Sequence, residues 1–261
     1  MDIAILSIGN EVVKGRTVNT NASEISKAMI ENGHQVKYIL TCMDEPTDIC
    51  DSLKFLTERS DVIITSGGLG PTVDDLTIRA ISECLNLKLV INSDAEKELR
   101  KRYNDLGLDF TEERKKMAYL PEGAEPIQNH YGTAPGIFLK HNGKLIFSTP
   151  GVPREMRGML AQILKILGKG NLNYISRDMK VYGIMESTIA PLEREIMEKF
   201  QNKISVKSHP ESMEFKDPVL TIEIYGYSKD NDLEREIEGA MEMVRQHVVQ
   251  LGGRLEEKEK S

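Results

Sequence analysis

Three short apolar runs separated by helix-like segments constrain the fold more than any other feature of this chain. The runs cover residues 3–8, 36–42 and 62–66, and segments with helical spacing of apolar residues follow each of them at residues 22–30, 46–58 and 72–85. In the first and third runs apolar residues follow one another directly, at 3–6 and at 62–64, as is typical of strands covered on both faces. Strands that alternate with helices in this way predict a doubly wound α/β domain with a mostly parallel sheet.

The rest of the chain predicts a second, smaller domain. Strands over residues 137–139 and 144–147 are joined by Asn142-Gly143, which is a strong two-residue hairpin signal, and Pro153 begins a helix that runs to about Leu167. The stretch 168–171 contains two glycines beside polar residues and predicts a linker. We therefore expect an α/β domain over 1–169, a small α+β domain over 170–252 and a disordered tail over 253–261.

Composition and charge exclude several classes of protein. The 261 residues are 39% hydrophobic and 29% charged, and the net charge of −7 gives the whole chain no electrostatic reason to coat nucleic acid. The N-terminus does not resemble a signal peptide, and no apolar run approaches the roughly 18 residues of a membrane span. We therefore expect a cytoplasmic protein that binds neither nucleic acid nor membrane. Cys42, Cys50 and Cys84 are few and widely spaced, and we expect all three to be reduced.

The glycine loop that follows the third apolar run is the strongest local signal for a ligand site. It comprises Gly67, Gly68, Leu69, Gly70, Pro71 and Thr72. In a parallel sheet this junction lies at the carboxyl end of a strand, where ligands bind, and glycines let backbone N–H groups surround an anion. The loop lacks the Gly-Lys-Ser/Thr of a Walker loop and the third glycine of a dinucleotide fingerprint. It predicts a phosphate site, although a connecting turn would have the same composition.

Two adjacent aspartates follow the glycine loop. Thr72 and Asp75 match a capping box, which would explain Asp75 without any function. Asp74 is not needed for such a cap. Two carboxylates beside a phosphate would repel it unless a cation lay between them, and Mg²⁺ commonly binds one or two carboxylates plus phosphate oxygens. Asp74 and Asp75 are therefore candidate ligands of a divalent metal.

Three further loops are candidates for the same ligand-binding edge of the predicted sheet. The first contains Glu11, which could orient water, contact a ribose or bind metal, and Asn19, which could bind ligand or only cap a helix. The stretch 129–136 is rich in glycine and proline. The stretch 148–155, which includes Gly151, repeats the strand–turn–helix plan. Each alone is more often a connector than a site, but four such loops on one chain are more suggestive.

Taken together, these motifs resemble the signature of the CinA (competence/damage-inducible) family. The residues that carry the resemblance are the loop from Gly67 to Thr77, Gly9-Asn10-Glu11, Val18 to Asn21, Gly132 to Gly136, Pro150 to Met156 and Gly183 to Ser187. The family contains a molybdopterin-binding-like domain related to the MoaB and MogA proteins. Asn10 stands where many relatives have threonine. Bacterial members often carry a further domain that deamidates nicotinamide mononucleotide, and we do not expect that activity of these 261 residues.

The resemblance implies a three-layer α/β/α domain followed by a small α+β domain, and a homodimer. It also implies hydrolysis of ADP-ribose to AMP and ribose 5-phosphate with a divalent metal and potassium. The glycine loop would then hold the pyrophosphate, Asp74 or Asp75 the metal, and Glu11 the attacking water or the ribose. Two alternatives stay open: a molybdopterin-binding or adenylyl-transferring protein, and a nucleotide-binding protein without catalysis.

Overall fold

The computed structural model describes residues 1–211, 217–229 and 232–257, and the chain divides into two compact units between Gly170 and Asn171. Gly170 belongs to the first unit because its N–H donates a 2.8 Å hydrogen bond to the carbonyl of Asn32. A side chain at this position would meet the backbone of Gly33. The structure therefore divides the chain one residue after the boundary expected from the linker composition.

The first unit is built on a six-stranded sheet. Its strands and those of a separate two-stranded sheet are β1 (Asp2–Ile8), β2 (Gln35–Cys42), β3 (Val62–Ser66), β4 (Leu89–Ile91), β5 (Tyr119–Pro121), β6 (Glu125–Ile127), β7 (Gly136–His141) and β8 (Lys144–Thr149). The six-stranded sheet has the order β2-β1-β3-β8-β7-β6, while β4 pairs antiparallel with β5. Strands β2, β1, β3 and β8 are mutually parallel. Strand β7 pairs antiparallel with β8, and β6 pairs antiparallel with β7. The largely parallel sheet confirms the predicted fold class.

Helices cover both faces of this sheet. They are α1 (Asn10–Val13), α2 (Thr20–Glu31), α3 (Pro46–Thr57), α4 (Thr77–Cys84), α5 (Ser93–Asp105), α6 (Glu112–Lys115) and α7 (Pro153–Leu167). One apolar core lies between the sheet and α2 and α7, and a second lies between the sheet and α3, α4 and α5. The predicted three-layer arrangement is therefore present.

Strand β1 shows why its sequence is apolar without alternation. Ile3 and Ile5 pack in the core beside α2 and α7, whereas Ala4 and Leu6 pack in the core on the opposite face. Successive side chains of a strand point to opposite faces, so a strand covered on both sides needs apolar residues at every position. Each large apolar side chain buried here stabilises the fold by about 1.5–3 kcal/mol relative to exposure.

One predicted helix begins later in the structure than the sequence indicates. The helix predicted over 72–85 begins only at Thr77, because residues 71–76 form turns in which Thr72 and Asp75 hydrogen-bond to each other. The predicted capping box is therefore wrong as a helix cap. Helix α6 ends at Lys115, is followed by a 3-10 turn, and gives way to β5. The Asn142-Gly143 hairpin is confirmed, with positive φ at both residues.

The prediction of three reduced cysteines is wrong for two of them. Cys50 on α3 and Cys84 on α4 form a disulfide, with Cα atoms 5.3 Å apart. The two helices pack side by side, which brings together cysteines 34 positions apart. Cys42 is free and buried, and burial raises the pKa of its thiol to about 11.

The second unit has its own sheet and its own core. Its elements are β9 (Asn173–Tyr182), α8 (Glu186–Lys199), β10 (Ile204–Pro210), β11 (Val219–Ser228), α9 (Leu233–Gln250) and β12 (Arg254–Glu257). The antiparallel order β10-β11-β9-β12 with this succession of elements is the ferredoxin-like arrangement. Helices α8 and α9 pack on the sheet through a separate apolar core.

The predicted disordered tail is wrong for its first part. Residues 254–257 form β12, which pairs antiparallel with β9, and Leu255 packs against the core of the second unit. The edge of β9 offers unpaired N–H and C=O groups, with which β12 pairs. Residues 258–261 of the predicted tail lie outside the described residues. Among the described helices, none combines the length and apolar character that crossing a membrane requires.

Candidate functional site

Four parallel strands of the first unit end at the same edge of the sheet, and the loops that leave them enclose a cavity of about 500 Å³. We call it the loop cavity. Its lining comes from the ends of β1, β2, β3 and β8 and from the loop before β7, and consists of residues 8–11, 44, 67–71, 74, 75, 133, 134, 150–152 and 155. Parallel sheets bind ligands at this edge because the loops there are free to vary over a rigid support.

The glycine loop has a backbone that other residues would not adopt. Gly67 and Gly68 have φ values of 118° and 66°, in the region that favours glycine. A side chain on Gly67 would meet the carbonyl of Ile8, and one on Gly68 would meet the hydroxyl of Thr77. Thr77 is fully buried and donates a 2.9 Å hydrogen bond from Oγ1 to the carbonyl of Gly67. Thr77 therefore stabilises the conformation of the glycine loop through this buried hydrogen bond, a role that its position in the sequence does not reveal.

The glycine loop also carries unused hydrogen-bond donors. In the part of the chain that the structure describes, the amides of Gly68, Leu69 and Gly70 donate to no protein acceptor. Gly67 differs, because its N–H bonds the carbonyl of Thr149 at 3.0 Å. Successive free amides form a concave anion-binding surface. The loop residues predicted to bind phosphate, from Gly67 to Pro71, all line the loop cavity.

Asp74 and Asp75 both line the loop cavity but differ in their partners. Asp75 Oδ2 accepts hydrogen bonds from the N–H and the hydroxyl of Thr72, at 2.9 and 2.6 Å. Asp74 is exposed and makes no side-chain hydrogen bond or ion pair with the described residues. Thr72 is exposed, does not line the cavity and acts on the loop only through Asp75. Asp74 is therefore the freer of the two carboxylates to bind a cation.

Three other carboxylates line the same cavity: Glu155, which accepts a hydrogen bond from Asn129, Glu11 and Asp44. Glu11, which the sequence predicts as a site residue, lies at the start of α1 and lines the cavity. Asp44 was not predicted as a site residue, but it also lines the cavity. Its position just after the carboxyl end of the parallel strand β2 is the sequence feature that could have indicated it. Partial burial raises the pKa of Asp44, and the charges of Glu11, Asp74 and Asp75 raise it further, whereas a 2.7 Å hydrogen bond from the N–H of Asn10 lowers it. Four negative charges thus influence one region of the cavity.

Asn19 lies beside a different and smaller space. It lines a neighbouring cavity of about 100 Å³, caps α2 by accepting a hydrogen bond from the N–H of Ala22, and bonds Ser7. Gly151 and Glu11 border both cavities. Asn21 links the end of β3 to the loop after β8, because its Nδ2 donates to Ser66 Oγ at 2.9 Å and to the carbonyl of Gly151 at 2.8 Å. Asn19 is therefore the cap of α2 and lies outside the lining of the loop cavity, whereas Gly151 is part of that lining.

The loop over residues 129–136 is fixed by one buried asparagine. Asn129 Nδ2 donates to the carbonyl of Ala134 and to Glu155, while Oδ1 accepts from the N–H groups of Tyr131 and Gly132. These bonds hold Thr133 and Ala134 at the cavity wall and fix Glu155 on the first turn of α7. Both later loops suggested by the sequence therefore contribute to the cavity.

The donors around the cavity suit a hard divalent cation that also binds a phosphate. Asp74, Glu11 and Asp44 offer carboxylate oxygens, and the buried Oδ1 of Asn10 has no partner among the described residues. Within those same residues, no three histidine, cysteine or acidic side chains converge closely enough to hold a metal ion alone. Mg²⁺ usually keeps several waters and takes its remaining ligands from one or two carboxylates and a phosphate. The donor set fits such shared binding rather than a metal cage formed by the protein.

Comparison with known proteins agrees with this architecture. A family model described as "Probable molybdopterin binding domain" matches residues 4–169. A protein of Metallosphaera sedula is 43% identical over 257 residues, which cover 97% of this chain and 96% of the relative. A protein of Caldivirga maquilingensis is 40% identical over 245 residues, or 94% of each chain.

A solved structure also matches the first unit. The crystal structure of the protein CinA, described as of unknown function, from Thermoplasma acidophilum shares 39% sequence identity and a TM-score of 0.61. The match covers 64% of this chain, in its N-terminal domain, and 98% of that chain. With the family model and the full-length relatives, it shows that this chain belongs to the family of probable molybdopterin binding domains and that its first unit is a CinA-type member of that family.

Proposed function

We propose that the loop cavity binds the phosphate groups of a pterin phosphate or a nucleotide, with a divalent metal ion between the phosphates and the carboxylates. The observation that carries the proposal is the presence of unused amides and unpaired carboxylates in one cavity: Gly68, Leu69 and Gly70 beside Asp74 and Glu11. The amides favour an anion, and the carboxylates oppose it unless a cation intervenes.

The leading function is of the molybdenum-cofactor type: binding of a pterin phosphate and transfer of an adenylyl group to it. In that step a phosphate oxygen of the pterin would attack the α-phosphorus of an adenosine triphosphate, and pyrophosphate would leave. The family description supports a pterin-like ligand for residues 4–169. A bound metal would withdraw charge from the phosphate oxygens and so make the phosphorus easier to attack. The free amides of the glycine loop would donate to the oxygens on which charge develops, and because Thr77 and Asp75 fix the loop, little reorganisation would be needed.

Hydrolysis of ADP-ribose to AMP and ribose 5-phosphate is the second candidate, and one observation favours it. Glu11 lines the loop cavity and has no hydrogen-bond or salt-bridge partner for its carboxylate among the described residues. A free carboxylate beside bound phosphate can orient a water molecule and accept its proton. In this function the acceptor would be water rather than a pterin phosphate, and potassium would be a further requirement implied by the CinA resemblance.

The test of the shared binding step uses inorganic pyrophosphate and ADP-ribose as probes, with and without Mg²⁺, in isothermal titration calorimetry. Asp74→Ala should weaken Mg²⁺-dependent binding by at least about tenfold while leaving the unfolding transition unchanged. Asp75→Ala should weaken binding and also lower stability, because it releases Thr72. Asp51→Ala, an exposed aspartate on α3 away from the cavity, is the matched control. Undiminished binding by folded Asp74→Ala would remove that residue from the metal site.

The two chemistries are separated by following the products. Release of AMP from ADP-ribose that requires Mg²⁺ or K⁺ and is lost in Glu11→Gln would establish hydrolysis. A pterin absorbance that accompanies the purified protein, with no AMP release, would establish the cofactor-type function. The homodimer implied by the resemblance stays a prediction, which sedimentation equilibrium would test.

A further inference from the structure

A cavity of about 350 Å³ lies at the edge of the sheet opposite the loop cavity. We call it the disulfide cavity. Its walls are the last residues of α3 and α4 and the hairpin between β7 and β8, including Lys144 at the start of β8. Among the described residues, none lines both this cavity and the loop cavity, which lies beyond the end of β8. The proposed phosphate site therefore does not account for this space.

One half of the disulfide between α3 and α4 borders the disulfide cavity. Cys84, the last residue of α4, is half-buried and lines the cavity, whereas its partner Cys50 is not part of the lining. Thiol–disulfide exchange begins when a thiolate attacks a sulfur that it can reach, so access decides which of two bonded sulfurs is attacked. A small thiol in the disulfide cavity would therefore attack Cys84, and Cys50 would be the leaving group.

The charged groups of the disulfide cavity favour a thiol that carries a negative charge. Lys144 Nζ donates a 2.9 Å hydrogen bond to the carbonyl of Ser60 and has no carboxylate partner among the described residues. Glu58, the acidic side chain of the described lining, is paired with Arg59 at 2.9 Å. An ammonium group without a carboxylate partner attracts both a thiolate and a carboxylate.

We propose that Cys84 is a site of thiol exchange and that the disulfide cavity admits a small thiol that bears a carboxylate. In the first step the sulfur of the thiolate bonds Cys84 Sγ, the bond between Cys84 and Cys50 breaks, and Cys50 Sγ takes the electron pair. In the second step another thiolate attacks the sulfur of the attached thiol, and Cys84 Sγ takes the electron pair. Two thiol molecules are thereby oxidised to a small disulfide, and the disulfide of the protein is reduced to two thiols.

Exchange at Cys84 releases one end of the helix that supports the glycine loop. Helix α4 runs from Thr77, which bonds the carbonyl of Gly67, to Cys84, which is bonded to α3. Opening of the disulfide removes the covalent link at the far end of this helix. We therefore expect reduced protein to bind pyrophosphate with Mg²⁺ at least about threefold more weakly than oxidised protein.

Two single-cysteine variants test which sulfur the cavity exposes. Cys50→Ser retains Cys84, Cys84→Ser retains Cys50, and both lack the cross-link. Each native variant is mixed with dithiodiglycolate, the disulfide of mercaptoacetate, and adduct formation is followed by mass spectrometry. Cys50→Ser should react at least about tenfold faster than Cys84→Ser, while the buried Cys42 reacts in neither. Equal rates, or a faster reaction of Cys84→Ser, would overturn the proposal.

Wild-type protein provides a second measurement that does not depend on the folding of a variant. The protein is treated briefly with mercaptoacetate, quenched with acid, alkylated and digested. The mixed disulfide should be found on the peptide that contains Cys84, with Cys50 alkylated. A mixed disulfide found mainly on Cys50 would show that the attacking thiol does not enter through the disulfide cavity.

Lys144→Gln tests the preference for a carboxylate. The rates at which mercaptoacetate and cysteamine reduce the disulfide are compared, because cysteamine carries an amine in place of the carboxylate. Lys144→Gln should lower the ratio of the first rate to the second by at least about threefold. Lys140→Gln is the matched control, because Lys140 is exposed on β7 and does not line the cavity. An unchanged ratio in Lys144→Gln would overturn the role of the ammonium group.

Pyrophosphate binding by oxidised and reduced protein shows whether exchange acts on the glycine loop. If both forms bind pyrophosphate with Mg²⁺ equally well, the effect on the loop is overturned. If neither form binds it, the proposed function of the loop cavity fails, whereas exchange at Cys84 is still decided by the adduct measurements. The failure of one proposal is thus distinguishable from the failure of the other.

Discussion

At the scale of single residues, the glycine loop depends on Thr77, which lies outside the loop. Its buried hydroxyl bonds the carbonyl of Gly67, and Gly68 leaves it room by lacking a side chain. Thr77→Val keeps the shape but leaves that carbonyl without its donor, which typically costs about 1–3 kcal/mol. We expect a loss of this size in the free energy of unfolding by urea, together with weaker pyrophosphate binding.

A threonine in a similar bond on the surface provides the comparison. Thr57 Oγ1 donates to the carbonyl of Lys54 at 3.0 Å, but water can replace it there. Thr57→Val should therefore change stability by less than about 0.5 kcal/mol. Equal effects of the two substitutions would mean that the Thr77 hydroxyl does not support the loop.

Asp44 gives the site a pH dependence of predictable sign. Burial and the neighbouring carboxylates raise its pKa in the folded protein above the ordinary value of about 3.9. Protonation of Asp44 therefore favours folding, and stability is lost as the pH rises from the unfolded pKa through the folded one. In the absence of divalent metal, Asp44→Asn should raise the melting temperature at pH 7, and this gain should vanish below about pH 3.9.

The control for Asp44 is an aspartate on the neighbouring helix. Asp51 is exposed on α3, and Asp51→Asn should show no comparable gain at pH 7. Addition of Mg²⁺ should narrow the difference between wild-type protein and Asp44→Asn, because a cation offsets the same repulsion. A melting temperature of Asp44→Asn that matches wild type at every pH would contradict the carboxylate cluster.

At the scale of secondary-structure elements, the disulfide between α3 and α4 fixes the support of the glycine loop. It closes a loop across 34 positions, for which the chain-entropy estimate of stabilisation is about 3–4 kcal/mol. Cys50→Ala/Cys84→Ala should lower the free energy of unfolding by up to that amount, and reduction of the wild-type protein should have the same effect. Reducing agent should not destabilise the double variant further.

Thiol titration checks the pairing itself. Native protein should expose no reactive thiol, because Cys42 is buried and its pKa of about 11 keeps it protonated at neutral pH. Unfolding without a reductant should release one thiol, and unfolding with a reductant should release three. Three thiols without a reductant would show that Cys50 and Cys84 are unpaired.

Some secondary-structure elements could be predicted from the sequence and others could not. The strands β1 and β3 were predictable because continuous apolar runs leave few other folds, and α7 because Pro153 marks its first turn. The start of α4 was not, because Thr72 and Asp75 satisfy the same bonds in a turn as in a helix cap. The disulfide was not predictable, because it depends on how α3 packs against α4, which local sequence does not encode. Asp44 was predictable in principle, because it follows the carboxyl end of a strand expected in a parallel sheet.

At the scale of the whole molecule, the two units should fold separately. Each has its own apolar core, and the loop cavity lies within residues 1–170. The solved CinA chain is matched over 98% of its length by the N-terminal domain alone, so a domain of this kind exists without the second unit. A fragment of residues 1–170 should therefore unfold cooperatively in urea and bind pyrophosphate with Mg²⁺ as tightly as the full chain does. A fragment that folds but has lost this binding would show that the ferredoxin-like unit takes part in the site, and the ligand would then have to be sought with both units present.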